Sequence, residues 1–286
     1  MESKIIKAIK NPKKAIYFLV GSIIYLPINK GIYFFINAVY NPFIDFRNKF
    51  RGSELVNEIS KNLNLSALKA FNEIKKHSLK KTDINDHLIT LFIESIKIKP
   101  KLIVELGVRG GESTFALERV AKVCNAKLIS VDIVDCSKVS SYKDWIFIKS
   151  DDIKFAKEFK KWCKENNIEP QIDILFIDTL HLYEHALQEI KHWFPFLSDR
   201  SKVFFHDTNT KGIYQRKDGS KGVVSWNNPG WRNDRGVIRA LEKFFNKLFS
   251  ENESFIDFEK GFLIKHYPLC NGLTILEKDS STKTNS

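Results

Sequence analysis

Two apolar runs in this sequence close on carboxylates: "IDILFID" ends at Asp178, and "KVFFHD" ends at His206 and Asp207. Acids that terminate neighbouring strands of one sheet point into one cleft. Two oxygen donors there, with a third group nearby, suit a hard cation such as Mg²⁺. A further acid stands in "LIVELGVRGGEST", where Glu105 precedes Gly107, Gly110, Gly111 and the Ser113-Thr114 pair. Glycines at such a place let the chain turn tightly and let a ligand come close to backbone. A helix that starts near Glu112 and Ser113 offers free N–H groups to a carboxylate or phosphate. Asp132 near the end of "KLISVDI" and Asp151 just past "WIFIK" add two more polar strand ends. In "HLYEH", His181 and His185 stand four apart. On a helix that spacing binds zinc, so the segment also fits the H-x-x-E-H pattern of a zinc hydrolase.

The elements that hold these groups are legible as an alternation. "LIVEL", "KLISVDI", "WIFIK", "IDILFID" and "KVFFHD" read as strands, with helices "ESTFALERVAKV", "DDIKFAKEFKKWCKEN" and "HLYEHALQEIKHWFPFL" between them. "GVIRALEKFFNKLF" follows as a helix, and "SFIDFE" and "GFLIKHYPL" close the domain as strands. Near-continuous apolar strands alternating with helices specify an α/β fold, a doubly wound and mostly parallel sheet, here of seven strands. Ligands of such sheets sit at the carboxyl ends of the strands, where the strand order reverses. The glycine spacing G-x-x-G-G departs from the G-x-G-x-x-G of dinucleotide sites, and an acid two residues before the first glycine is foreign to that fingerprint.

"VELGVRGGEST" resembles instead the first motif of class I S-adenosylmethionine-dependent methyltransferases. "IDILFIDTLHLYEHALQEIKHWFPFLSDRSKVFFHDTN" with "RGVIRAL" narrows this to the branch that contains cephalosporin-hydroxylase-like and macrolide-sugar O-methyltransferase proteins. The resemblance covers roughly Leu102 to Phe249. It implies a Rossmann-like methyltransferase fold and S-adenosylmethionine as cofactor. Glu105, Gly107, Gly111 and Ser113 would then cradle its methionine part, Asp132 would hold the ribose hydroxyls and Asp151 would meet the adenine. It further implies a cation, Mg²⁺ or Mn²⁺, on Asp178, His206 and Asp207, although His206 stands where relatives often carry a carboxylate. Leu180 replaces an aspartate proposed as base in some sugar methyltransferases. His181, which titrates near neutral pH, is then the nearest catalytic base beside Asp178. The expected activity is O-methylation of a sugar or glycan hydroxyl, lipid-linked glycans included. A non-catalytic scaffold with the same fold is the alternative.

Composition sets the remaining bounds. Four cysteines without C-x-x-C spacing argue against a disulfide framework or a zinc ribbon. The net charge of +12 is concentrated at one end, since residues 1–51 hold nine Lys/Arg against Glu2 and Asp45. No basic stripe with interleaved aromatics follows, so no nucleic-acid partner is expected. The chain divides into an extension over 1–50, a helical lead-in over 51–98, the methyltransferase domain over 99–270 and a disordered tail over 271–286. Within the domain, an insertion over 208–234 forms a lid; its Tyr214, Trp226 and Trp231 suit stacking on a sugar, and Arg232 or Arg235 suits an acidic group. The extension carries "AIYFLVGSIIYLPI", 14 residues without a charge and shorter than the roughly 20 a span needs. Basic flanks on both sides keep both ends cytoplasmic. The extension therefore reads as a peripheral membrane hairpin or as an arm onto a second subunit in a homo-oligomer, and the enzyme as cytoplasmic.

Overall fold

A computed structural model of the chain describes residues 63–223 and 235–278. The extension over 1–50 lies outside them, as do Trp226, Trp231 and Arg232 of the insertion. Among the described residues no helix is long and apolar enough to cross a membrane.

Helix α1 (Leu65–His77) starts at Asn64, whose side chain accepts the Ala67 N–H at 2.9 Å. A 3₁₀ turn (Asn85–His87) leads into α2 (Leu88–Ile96). Strands and helices then alternate: β1 (Leu102–Leu106), α3 (Glu112–Cys124), β2 (Lys127–Asp132), β3 (Trp145–Lys149), α4 (Asp152–Glu165), β4 (Ile172–Ile177), α5 (Tyr183–Trp193) and β5 (Leu197–His206). A hairpin of β6 (Ile213–Gln215) and β7 (Lys221–Val223) stands apart from the main sheet. Helix α6 (Gly236–Phe245) and strands β8 (Phe255–Glu259), β9 (Phe262–Tyr267) and β10 (Leu273–Lys278) complete the described chain.

The sheet has eight strands in the order β3-β2-β1-β4-β5-β10-β9-β8. Strands β1 to β5 pair in parallel, and β10, β9 and β8 join them through antiparallel pairings. This is a Rossmann-like, mostly parallel sheet with helices on both faces, one strand larger than the seven expected. The added strand is β10, which lies in the stretch read as a disordered tail. Its "LTILEK" places Leu273, Ile275 and Leu276 in the core, so the segment orders by inserting between β5 and β9.

Alternation along the strands divides the core in two. Val104, Leu106, Leu175, Ile177, Val203 and Phe205 pack under α4, α5 and α6 with Phe159, Trp193 and Leu241. Ile103, Ile174, Phe176 and Phe204 face the other way, onto Phe71, Leu88, Phe92 and Leu117 of α1, α2 and α3. The strand order runs outward in opposite directions from β1 and β4, so the crevice opens between their carboxyl ends. Backbone bonds fix that place: Gly107 N–H donates to Val131 O and Asp178 N–H to Leu106 O, both at 2.9 Å.

Candidate active site

A cavity of about 590 Å³ opens at this crevice, a size suited to a small-molecule ligand. Its wall includes Gly107, Gly110, Ser113, Asp132, Asp151, Asp178, His181 and Asp207, which come from the ends of β1, β2, β3, β4 and β5. The turn after β1 is built for close approach. Gly107 has φ +86°, and a Cβ there would lie 2.0 Å from the Asp178 carbonyl oxygen. Asp132 holds the same turn from the β2 side: Oδ2 accepts the N–H groups of Val108 (2.8 Å) and Arg109 (3.0 Å), and Oδ1 that of Val134 (2.8 Å). Asp151 caps α4 by accepting the Lys154 N–H at 2.8 Å.

The charged cluster sits on the β4–β5 side. His181 Nε2 lies 3.2 Å from Asp178 Oδ1 and 2.9 Å from Asp207 Oδ2. His206 Nδ1 lies 3.3 Å from Asp178 Oδ1 and 3.3 Å from Asp207 Oδ1. Burial opposes charge on both rings, yet the two carboxylates outweigh it. His181 is raised well above the usual histidine range, and His206 to about 9. Burial likewise works against the Asp178 carboxylate, but His206 and His181 hold it well below the carboxylate range. The cluster is thus a set of mutually stabilised ions, of which Asp178, His181 and Asp207 line the cavity, an arrangement found at functional sites.

Residues 104–208, from β1 through β5 and around every strand end just described, match the family model of a methyltransferase domain. This stretch is a methyltransferase domain. An uncharacterized protein of Sinorhizobium fredii is 27% identical over 139 residues, 41% of this chain and 15% of that protein. Among solved structures, the MycE methyltransferase of mycinamycin biosynthesis, in complex with Mg and SAH, is similar at a TM-score of 0.48 and 16% identity. The match covers 76% of this chain and 56% of that one. The SAH-bound methyltransferase PaMTH1 of Podospora anserina is similar at a TM-score of 0.43 and 17% identity, with 80% and 97% covered. The chain therefore spans a small part of the curated relative and about half of the MycE chain.

Within the methyltransferase domain three site residues lie elsewhere than the sequence suggested. Glu105 does not reach the cavity. It points to the α3 side of β1 and is fully buried, where Ser113, Thr114 and Ser130 hydroxyls donate to it at 2.5–3.0 Å. It ties β1, β2 and α3 together beneath the turn. Gly111 is also a scaffold position: it takes φ +82° at the N-cap of α3, and a Cβ there would strike Val139. His206 continues the row of Phe204, away from the cavity. It is 2% exposed, set edge-on to His87 at 5.6 Å between ring centres, so it backs the aspartates rather than facing a ligand. Asp207 escapes that alternation because its φ of +55° turns the chain after β5.

Two further expectations change. His181 precedes α5, which starts at Tyr183, so His181 and His185 do not share a helix face. His181 joins Asp178 and Asp207 while His185 joins Asp152 and Glu189, which removes the zinc-hydrolase geometry. In the insertion, Tyr214 is buried under the Arg216 guanidinium, and Arg235 is engaged by Glu242 and Glu251. Neither is presented to a sugar. Sequence reading missed Asp83 and Arg109, which pair across the cavity mouth at 2.9 Å, and the Asp152–Glu189 pair behind it. Only the i, i+4 spacing of His185 and Glu189 was available as a signal.

Burial raises the Glu105 carboxyl to about 7, against the three hydroxyl donors that favour its ionised form. An acid raised in the fold is neutral at no penalty below its unfolded pKa of 4.5. Stability is then lost as pH climbs through the folded value near 7. Glu105→Gln should remove this loss, so its stability relative to wild type should rise by about 2–3 kcal/mol between pH 5 and pH 8. Urea unfolding at both pH values measures it, and parallel pH dependences for the two proteins would contradict the assignment.

Proposed function

We propose that the chain is an S-adenosylmethionine-dependent O-methyltransferase that acts on a sugar or glycan hydroxyl, with assistance from a divalent cation. The observation that carries the reading is the one cavity shared by the glycine turn of the matched domain and by the Asp178–His181–Asp207 cluster. Gly107, Gly110 and the N-terminus of α3 offer a backbone surface to the cofactor, with Ser113 and Asp151 on the wall. Asp132 holds the turn that presents this surface.

The cluster meets the acceptor. Asp178 has the most exposed side chain of its three members, at 27% against 9% for His181 and 2% for Asp207. It is therefore the group that hydrogen-bonds the acceptor hydroxyl and orients it. His181 keeps its own proton between the two aspartates, so it acts as a base only where their charge is balanced by something other than its own ring. One ligand atom from each of Asp178, His181 and Asp207 lies within 4.8 Å of the others, and two carboxylates with one imidazole are a donor set that fits a divalent cation. Bound Mg²⁺ or Mn²⁺ would supply charge that lowers the pKa of the acceptor hydroxyl. The glycan preference rests on the resemblance of the strand ends, and contact of residues 1–50 with a membrane or a second subunit is part of the same proposal.

Calorimetry tests the cofactor. Full-length protein should bind S-adenosylmethionine and not NAD. Asp132→Ala, which frees the N–H groups of Val108 and Arg109, should weaken binding by about tenfold or more, the scale of one lost charge-assisted bond. Tight binding of NAD without S-adenosylmethionine would overturn the reading. Conversion of S-adenosylmethionine to S-adenosylhomocysteine with glycan fractions as acceptor tests the finer claim.

A further inference from the structure

Behind the cavity wall a second group of ligating side chains converges. Asp152 opens α4, and His185 and Glu189 lie on one face of α5 at i and i+4 spacing. One ligand atom of each is within 4.8 Å of the other two. His185 Nε2 is 3.1 Å from Asp152 Oδ1 and 3.7 Å from Glu189 Oε1. Ligands held 2.0–2.1 Å from a tetrahedral ion are about 3.3–3.4 Å apart, between these two distances. The side chains satisfy one another only in part. His185 Nε2 has the Asp152 Oδ1 contact, but Asp152 Oδ2 is buried without a hydrogen-bond partner; Asp152 is 7% exposed and Glu189 1%. Glu189 Oε1 is held in place by the Thr179 hydroxyl at 2.5 Å.

We propose that Asp152, His185 and Glu189 form a binding site for a divalent transition cation such as Zn²⁺ or Mn²⁺, distinct from the Asp178 cluster. One imidazole nitrogen with two carboxylate oxygens favours a transition ion over Mg²⁺ or Ca²⁺. Asp152 and His185 reach the cavity wall, which gives the ion a route in. Once bound it joins α4 to α5, the helices that follow the Asp151 and Asp178 strand ends. The site does not depend on the methyl-transfer reading.

The experiment uses full-length protein stripped with EDTA and titrated with Zn²⁺ by calorimetry, with melting followed in parallel. To isolate this site, the titration is made on Asp178→Asn. That variant should still bind one Zn²⁺ with micromolar affinity or better, and its melting temperature should rise by several degrees on binding. Adding His185→Gln to Asp178→Asn should remove both effects. If the double variant does not fold, Co²⁺ in Asp178→Asn provides the second readout, since visible absorption of a low-coordinate nitrogen–oxygen site should develop at one equivalent. No Zn²⁺ binding or no Co²⁺ spectrum in Asp178→Asn would overturn the proposal, as would unchanged binding in a folded His185→Gln double variant.

Discussion

Gly107→Ala is expected to lose about 3–5 kcal/mol of stability, together with measurable S-adenosylmethionine binding. Two effects add. At φ +86° a side chain is strained by itself, and the new Cβ would sit 2.0 Å from the Asp178 carbonyl oxygen and 2.7 Å from its carbonyl carbon. Both are backbone atoms of the adjoining strand end, so no flexible group can move aside. Relief would require separating the β1 and β4 ends, where Asp178 N–H donates to Leu106 O. That separation would shift Asp178 relative to the glycine turn, which is why binding and stability should fall together. Gly110→Ala is the control, because a Cβ there meets nothing within 4 Å. It should stay within about 1 kcal/mol of wild type. Urea unfolding and calorimetry on both variants check the pair. A Gly107→Ala protein with wild-type stability and affinity would show that the two strand ends are not packed as described.

Asp178→Asn should reduce methyl transfer by about three orders of magnitude while S-adenosylmethionine affinity changes only a few-fold. The substitution keeps the shape of the side chain and leaves the backbone carbonyl that packs on Gly107 untouched. It removes the negative charge that, with Asp207, holds His181 protonated and raises His206 to about 9. It also removes the carboxylate that the proposed function sets against the acceptor hydroxyl. The loss should therefore appear in kcat rather than in cofactor binding. Single-turnover rates with a saturating cofactor measure it, and a variant within tenfold of wild type would move the acceptor-binding role away from Asp178.

Much of the architecture was open to reading because its signals are local. "LIVEL" and "IDILFI" carry apolar residues on both faces, broken only by Glu105 and Asp173, which only a sheet covered on both faces rewards, and the helices between them carry apolar positions at three- and four-residue spacing. "LTILEK" was harder. Six residues before a polar terminus look like a tail, and only the slot between β5 and β9 makes their burial favourable.

Strand-end logic likewise indicated that Asp132, Asp151, Asp178 and Asp207 belong near one crevice, since each follows a strand of the same parallel sheet. What each side chain does there was decided by tertiary structure. Glu105 is an acid at a strand end like the others, but the pleat turns it beneath α3, into the Ser113, Thr114 and Ser130 hydroxyls. His206 and Asp207 are neighbours in sequence, yet alternation sends one ring behind the sheet and a left-handed residue brings the next carboxylate to the cavity. Helix α5 begins at Tyr183, between His181 and His185, so one joins Asp178 and the other joins Asp152. Sequence period determines which face of an element is apolar, because burial acts on whole faces. Which polar atoms meet depends on single backbone dihedrals and on helix-against-helix packing, and neither leaves a periodic trace in the chain.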